Sequence, residues 1–302
     1  MIKQQQHPKK AFILKKESEE RSASTTNNNS SSSSIKRRRV SFEQPHMPMS
    51  LAAPAKMIKK EDHAMTFCIA GDINHNDDTE VRAHLERIPK LLLEDLQGHD
   101  ASVVTKGLTR LANLFMISLQ FRQEAYESGA AGILLVVMKT WRFHSDIQQE
   151  ACRCWQNLAL QYPEAVRSFA RVGALEAVLT ALQQFPNILQ VQKNGFAAIN
   201  NCLAVHEEPN IVAPLARHFV NNLRGLELVT RTMEDCPDEA KLQKRCCGIL
   251  FSLCALYPDC KASIRKLGAI ALVGKAVKTH AEDHAVHVVA KFFLTAMCKT
   301  ST

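Results

Sequence analysis

Chemistry in a protein needs nucleophiles, acid–base pairs or metal ligands held close together, and one cluster here has suitable residue types. His280, His284 and His287 stand near one another with Glu282 and Asp283 between them. His284 and His287 are spaced to share one helical turn, the proximity that a zinc ion requires. An exposed helix start has the same spacing and needs no metal, so no metal and no cofactor are expected. The chain has 10 cysteines. Cys152, Cys154, Cys202, Cys246 and Cys254 fall on or beside apolar helical positions, where a thiol acts as a small hydrophobe. Cys152-x-Cys154 and the adjacent Cys246 and Cys247 lack zinc-ligand spacing. No Gly-rich phosphate loop, Gly-x-Ser-x-Gly elbow or His-Glu-x-x-His run is present. No catalytic residues are assigned, and a non-enzymatic protein is expected.

Charge divides the chain unevenly. Residues 1–60 carry 13 Lys/Arg against 4 Asp/Glu, whereas the remaining 242 residues carry 25 against 26. The net charge of +8 therefore belongs to an N-terminal arm. That arm contains Gln4–Gln6, Asn27–Asn29 and an unbroken Ser30–Ser34. With so little apolar surface to offset ordering, residues 1–78 are expected to be a disordered, basic, low-complexity tail. Residues 79–302 are expected to form the folded domain. Lys36, Arg37, Arg38 and Arg39 make a compact basic cluster suited to an acidic groove such as that of an import receptor. Non-specific binding of the arm to nucleic acid would be steeply salt-dependent, and no specific nucleic-acid site is expected. The opening residues lack a secretory pattern, and Glu17, Glu19 and Glu20 argue against a transit peptide. The longest apolar stretches, such as Ile133–Met138, are too short to span a bilayer. Reduced thiols and the basic cluster together predict a cytoplasmic or nuclear location.

Arg39-Val40-Ser41-Phe42, which overlaps the cluster, is similar to the docking motif used by partners of protein phosphatase 1. In an extended strand Val40 and Phe42 point the same way and can fill adjacent pockets. Arg38-Arg39-Val40-Ser41 is also similar to a basophilic kinase site. A phosphate there would place up to about two negative charges between the anchors and expel the docked motif.

The elements that must position any site come from a repeat. Ile147, Ala151, Cys154, Trp155 and Leu158 mark one helical face. The same pattern recurs at Val103–Leu114, Val191–Cys202, Leu242–Leu253 and Val286–Met297, with shifts of 44, 44, 51 and 44 residues. Of these 25 positions only Arg110 is polar. Self-similarity at this period predicts an all-α solenoid whose units bury their apolar faces against one another. Each unit reads as a short helix, a turn and two longer helices. Gly129-Ala130, Gly173-Ala174 and Gly268-Ala269 mark the turns, and Pro163, Pro209 and Pro258 mark helix starts. The fourth unit departs: Gly225 is one residue out of register and seven extra residues surround Pro209–Leu223. A kinked first helix projecting from the stack is expected there. In the first unit, the apolar register of Ile88–Leu96 slips by about one residue.

Gly129-Ala130-Ala131-Gly132-Ile133, Ile147 through Ala151 and Trp155 through Ala159 resemble the armadillo repeat. The next unit is similar through Val172–Val178, Val191-Gln192 and Asn200–Ala204, and the likeness covers roughly residues 84–298. The resemblance implies a right-handed superhelix of about five repeats whose third helices line a concave groove. In peptide-binding members, an asparagine ladder on those helices grips an extended ligand. The matching column here reads Asn113, Asn157, Asn201, Ser252 and Ala296. The tryptophan column four residues earlier reads Thr109, Arg153, Ala197, Gly248 and Phe292, which departs from import-receptor cargo binding. A structural role for the asparagines, bonding neighbouring elements, fits the same pattern. Arg110, Arg153, Lys193 and Arg245 would add positive potential and favour an acidic partner. The expected function is a protein-interaction scaffold with a groove at Asn113, Asn157, Asn201, Arg110 and Arg153. The alternative is a phosphatase-targeting subunit.

Overall fold

A computed structural model describes residues 83, 86–88, 90–204 and 209–299, and the described chain is helical throughout. The tail motifs Lys36–Arg39 and Val40–Phe42, with Ser41, lie outside the described residues, as does the boundary expected at residue 79. The first unit contributes a π-helical turn, Leu91–Asp95, in which the Leu96 N–H donates to Leu91 O at 3.2 Å. A π turn holds one residue more than an α turn. That extra residue is the physical origin of the register slip over Ile88–Leu96.

Helix α1 (Ala101–Ile117) completes the first unit. The second comprises α2 (Leu119–Glu127), α3 (Ala130–Thr140) and α4 (Ser145–Leu158), and the third α5 (Pro163–Val172), α6 (Ala174–Gln184) and α7 (Leu189–Leu203). The fourth comprises α8 (Pro209–Asn221), α9 (Gly225–Asp235) and α10 (Ala240–Leu256). A 3₁₀ turn at Pro258–Cys260 opens the last, with α11 (Lys261–Lys266), α12 (Ala269–Thr279) and α13 (His284–Cys298). The third helices α1, α4, α7, α10 and α13 pack on one another in that order. Of the 25 repeat positions, only Val103, Arg110 and Leu294 escape burial, and all three lie in end units. Trp155 sits at the centre, its ring edge-to-face with Phe169 at 5.1 Å. Burial of each large apolar side chain contributes about 1.5–3 kcal/mol, and here most of it depends on the neighbouring unit.

A second column, which the periodicity did not single out, ties each hairpin together. The Gln148 side-chain amide donates to Met138 O (2.9 Å) and Trp141 O (3.1 Å), carbonyls at the end of α3. Gln192 does the same to Leu182 O and Phe185 O, and Gln243 to Met233 O and Cys236 O. Helix C-termini leave carbonyls without intrahelical partners, and a buried amide satisfies two of them at once. In the last unit His287 takes this place, with Nε2 at 3.2 Å from His280 O.

The fourth unit corrects two expectations. Its left-handed turn residue is Arg224 (φ 53°), in register with Gly129, Gly173 and Gly268, so the period holds without a slip. Gly225 serves another purpose: a Cβ there would lie 2.3 Å from the Phe219 ring. Phe219, Val212, Leu215 and Ala216 form the buried face of α8, so the inserted helix packs into the stack and does not project from it. Pro214 is accommodated on its exposed side.

The last described unit differs in composition on its outer face. Lys291 occupies the column of Cys152, Phe196 and Cys247, which are fully buried in the inner units. Ile270 is 40% exposed, whereas its counterparts Leu175 and Leu226 are 2% exposed. No helix among the described residues is long and apolar enough to cross a membrane.

Candidate functional site

The faces of α1, α4, α7, α10 and α13 opposite their buried columns form one continuous strip. Asn113, Asn157 and Asn201 lie along it, and their carboxamides have internal partners. Asn157 Nδ2 donates to Ala112 O and Asn201 Nδ2 to Gln156 O, each at 2.9 Å and each on the preceding third helix. Asn194 repeats the contact with Gln149 O at 3.0 Å. The ladder therefore bonds helix to helix, reaching backbone carbonyls of otherwise completed helices. A carboxamide has a second N–H and an oxygen beyond that bond, but Asn157 is 2% exposed and has little surface to offer. Asn113 and Asn201 are half-buried.

Arg153 is also engaged. Its guanidinium donates to Thr109 O at 3.2 Å and to Asn113 Oδ1, and pairs with Glu150 at 3.1 Å. Glu150 in turn accepts from Thr109 Oγ1 at 3.2 Å. This network joins α1 to α4 and neutralises its own charge. Arg110 stands apart from the asparagines, in the column of Cys154, Ala198, Ile249 and Phe293. Its side chain, 67% exposed, reaches Asp95 at 3.4 Å, at the N-terminal end of the stack.

Further along the strip the character changes. Lys193 pairs with Glu239 at 2.8 Å, and Lys241, Lys244 and Arg245 follow on α10. The floor beneath them is low, because the central column passes through Ala197 and Gly248. A Cβ at Gly248 would lie 2.5 Å from Asn200 Oδ1, so a tryptophan is sterically excluded unless Asn200 moves. Beyond this notch Phe251 and Phe292 form a tilted ring pair, 5.7 Å between centroids. The strip thus runs from a polar, internally bonded half to a basic rim and then an aromatic patch.

The histidines do not converge. His280 Nε2 donates to Pro237 O of the preceding unit at 2.8 Å, His287 satisfies the carbonyl of His280, and His284 is exposed. Among the described residues no group of three His, Cys, Asp or Glu side chains is placed to hold a metal. The nine described cysteines are free thiols. Burial pushes Cys152 and Cys247 up to about 12 and raises Cys154, Cys202 and Cys246 as well, so these act as apolar groups and not as nucleophiles.

No protein-family model and no curated protein sequence matches this chain. Solved structures do. An engineered protein superposes with a TM-score of 0.60 at 17% identity, covering 80% of this chain and 94% of its own. A computationally designed armadillo repeat protein for modular peptide recognition has a TM-score of 0.56 at 18% identity, with 74% of this chain and 95% of that one covered. A designed armadillo repeat protein in complex with the peptide (KR)4 has a TM-score of 0.51 at 17% identity, with the same coverage. With the helix triplets and the stacked third helices described above, these likenesses establish the fold: this chain is an all-α solenoid of the armadillo type.

Proposed function

We propose that the chain is a non-catalytic interaction scaffold that binds an extended polypeptide along the strip of third helices. The observation that supports this most directly is the basic, low-floored stretch over Lys193, Ala197, Lys241, Lys244 and Gly248. It lies beside the half-exposed Asn200 and Asn201 and leads to the Phe251–Phe292 patch. Such a surface offers charge, amide hydrogen bonding and apolar contact in sequence, as an extended ligand needs. Designed proteins of this fold were made for peptide recognition, and one was solved with a basic peptide. The rim here is basic, so the ligand of this chain is acidic. Asn113, Asn157 and Arg153 contribute mainly by fixing the curvature of the strip, and Asn201 is the ladder member best placed to touch a ligand. The free thiols among the described residues and the Lys36–Arg39 cluster fit a cytoplasmic or nuclear location.

Phage-displayed peptides selected on the full chain would test this reading. Ala204 and Ala255 are exposed at the ends of α7 and α10, on the strip. Ala204→Trp with Ala255→Trp should weaken an enriched peptide at least about tenfold, a difference of about 1.4 kcal/mol, while leaving the melting temperature unchanged. Undiminished binding would remove the strip as the site.

A second reading is favoured by the Arg39-Val40-Ser41-Phe42 motif: the arm recruits the catalytic subunit of protein phosphatase 1 and the solenoid selects its substrate. Purified phosphatase should bind the full chain and lose affinity with Val40→Ala/Phe42→Ala; equal affinity excludes it.

A further inference from the structure

Two thiols and a thioether meet where the fourth unit joins the last. Cys254 lies near the C-terminal end of α10, Cys260 closes the 3₁₀ turn that follows, and Met297 stands at the end of α13. The Cys254 S–H donates to Met297 Sδ at 3.4 Å, and the Cys260 S–H donates to Cys254 Sγ. Cys254 is thus the middle member of a row of three sulfurs. Two cations of α11 reach the same corner: Lys261 Nζ donates to Lys299 O at 2.7 Å and Arg265 to Met297 O at 3.3 Å.

Position along its helix groups Cys254 with the apolar thiols, but its surroundings set it apart. Cys152, Cys154, Cys202 and Cys246 are fully buried, and burial raises the pKa of each. At Cys254 the hydrogen bond from Cys260, aided by Lys261 and Arg265, outweighs desolvation and lowers the pKa. The same bond and desolvation raise that of Cys260. A thiol that gives up its proton beside one that keeps it matches an attacking cysteine and its resolving partner. Cys254 and Cys260 are 3% and 2% exposed, with Ala255, Asp259 and Arg265 exposed around them. The adjoining α11 is only six residues long, and so short a helix opens locally more readily than a long packed one.

We propose that Cys254 and Cys260 form a reversible disulfide when the chain meets hydrogen peroxide, a modification site at the junction of the last two units. The Cys254 thiolate attacks one peroxide oxygen, the O–O bond breaks, and the departing hydroxide takes up a proton and leaves as water. Cys254 is then a sulfenic acid. The Cys260 sulfur attacks the Cys254 sulfur, the S–O bond breaks, and the hydroxyl leaves as water with the Cys260 proton. Two thiols are oxidised to one disulfide, and the peroxide is reduced to two waters. From hydrogen-bond contact the sulfurs close to about 2.05 Å, and the turn between them supplies the movement. The bond ties the end of α10 to that turn and removes the S–H that Cys254 donates to Met297. In a reducing compartment the dithiol is the resting state, and a dithiol reductant restores it. None of this requires a ligand on the strip.

Peroxide treatment of the reduced full chain tests the site. The quenched protein is unfolded in N-ethylmaleimide, digested and sequenced by mass spectrometry. A Cys254–Cys260 link should form before any other disulfide and be reversed by dithiothreitol. Cys298, an exposed thiol, serves as the clock. If Cys254 and Cys260 are both still alkylated once Cys298 is fully oxidised, the pair is closed to peroxide and the proposal fails. A link from either thiol to Cys298, or oxidation of Cys254 to the sulfinic acid without a link, overturns it as well. Cys260→Ser separates the two roles. Without its resolving partner, Cys254 should accumulate as the sulfenic acid and be captured by dimedone at least about tenfold more than in the original chain. Capture no greater than in the original chain means that Cys260 does not resolve the intermediate. Should this variant lose its helical circular-dichroism spectrum, the peptide map of the original chain decides alone.

Discussion

Arg224 shows how a repeat tolerates a residue that its geometry disfavours. Three units place glycine at the left-handed turn before their second helix, and the fourth places an arginine there at φ 53°. A side chain in that region costs about 1–2 kcal/mol relative to the ordinary helical basin. Arg224→Gly removes that strain but enlarges the freedom of the unfolded chain, so a net gain of about 0.5–1 kcal/mol is expected in urea denaturation. Gly225→Ala should do the opposite, because its Cβ meets the Phe219 ring at 2.3 Å and the ring has to yield; a loss of about 1–3 kcal/mol is expected. If both substitutions proved neutral, the assignment of the turn to Arg224 would be wrong. The Gly225 misreading shows what a pattern conveys and what it omits. Residue type marked the turn wherever type and conformation agree, and failed where an arginine adopts the conformation of a glycine. The asparagine column was visible as a column, but its bonds to Ala112 O and Gln156 O span 45 residues and depend on backbone approach, which no side-chain pattern encodes. The Gln148, Gln192, Gln243 and His287 column was hidden because its last member changes type while keeping its task.

Helix boundaries were legible where local chemistry determines them. Pro163 and Pro209 open helices, positions where a missing amide proton is harmless. The start of α1 depends on Asp100, whose carboxylate accepts from the Ser102 N–H at 2.7 Å. That bond, with the Ser102 hydroxyl and the Val103 N–H, lowers the Asp100 pKa below its usual 3.8. A carboxyl whose folded pKa is depressed contributes stability that is complete above the unfolded value. The contribution disappears as pH falls through the lowered folded value. The stability difference between the original chain and Asp100→Ala should therefore be present at pH 7, shrink below pH 3.8 and vanish in stronger acid. Thermal denaturation of both proteins across that range would show it, and a difference independent of pH would refute the charged cap. The packing of α8, in contrast, was not legible. Its insertion, with Pro214 inside, reads as an interruption of the period, yet its apolar face at Val212, Leu215, Ala216 and Phe219 is spaced for burial. The length anomaly obscured an ordinary amphipathic helix.

Repetition makes the ends of a solenoid its weak points, since an inner unit is covered on both sides and a terminal unit on one. At the N-terminal end the π-helical turn and the Arg110–Asp95 pair close the first unit. At the C-terminal end Lys291 stands exposed in a column that is otherwise fully buried, and Ile270 of the same unit is partly open. A lysine there opposes the stacking of another molecule on that face, because burial of its ammonium without a partner costs several kcal/mol. Lys291→Phe should then convert a closed end into an adhesive one, joining Ile270 and Leu294 in a patch like those buried between inner units. The variant is expected to keep the helical circular-dichroism spectrum of the original chain and to sediment as a concentration-dependent dimer, the two ends meeting around a two-fold axis. Lys291→Gln, similar in reach but uncharged, separates charge from shape and should associate less than the phenylalanine variant. If Lys291→Phe sediments like the original chain at every concentration, the lysine is not what keeps this face from associating.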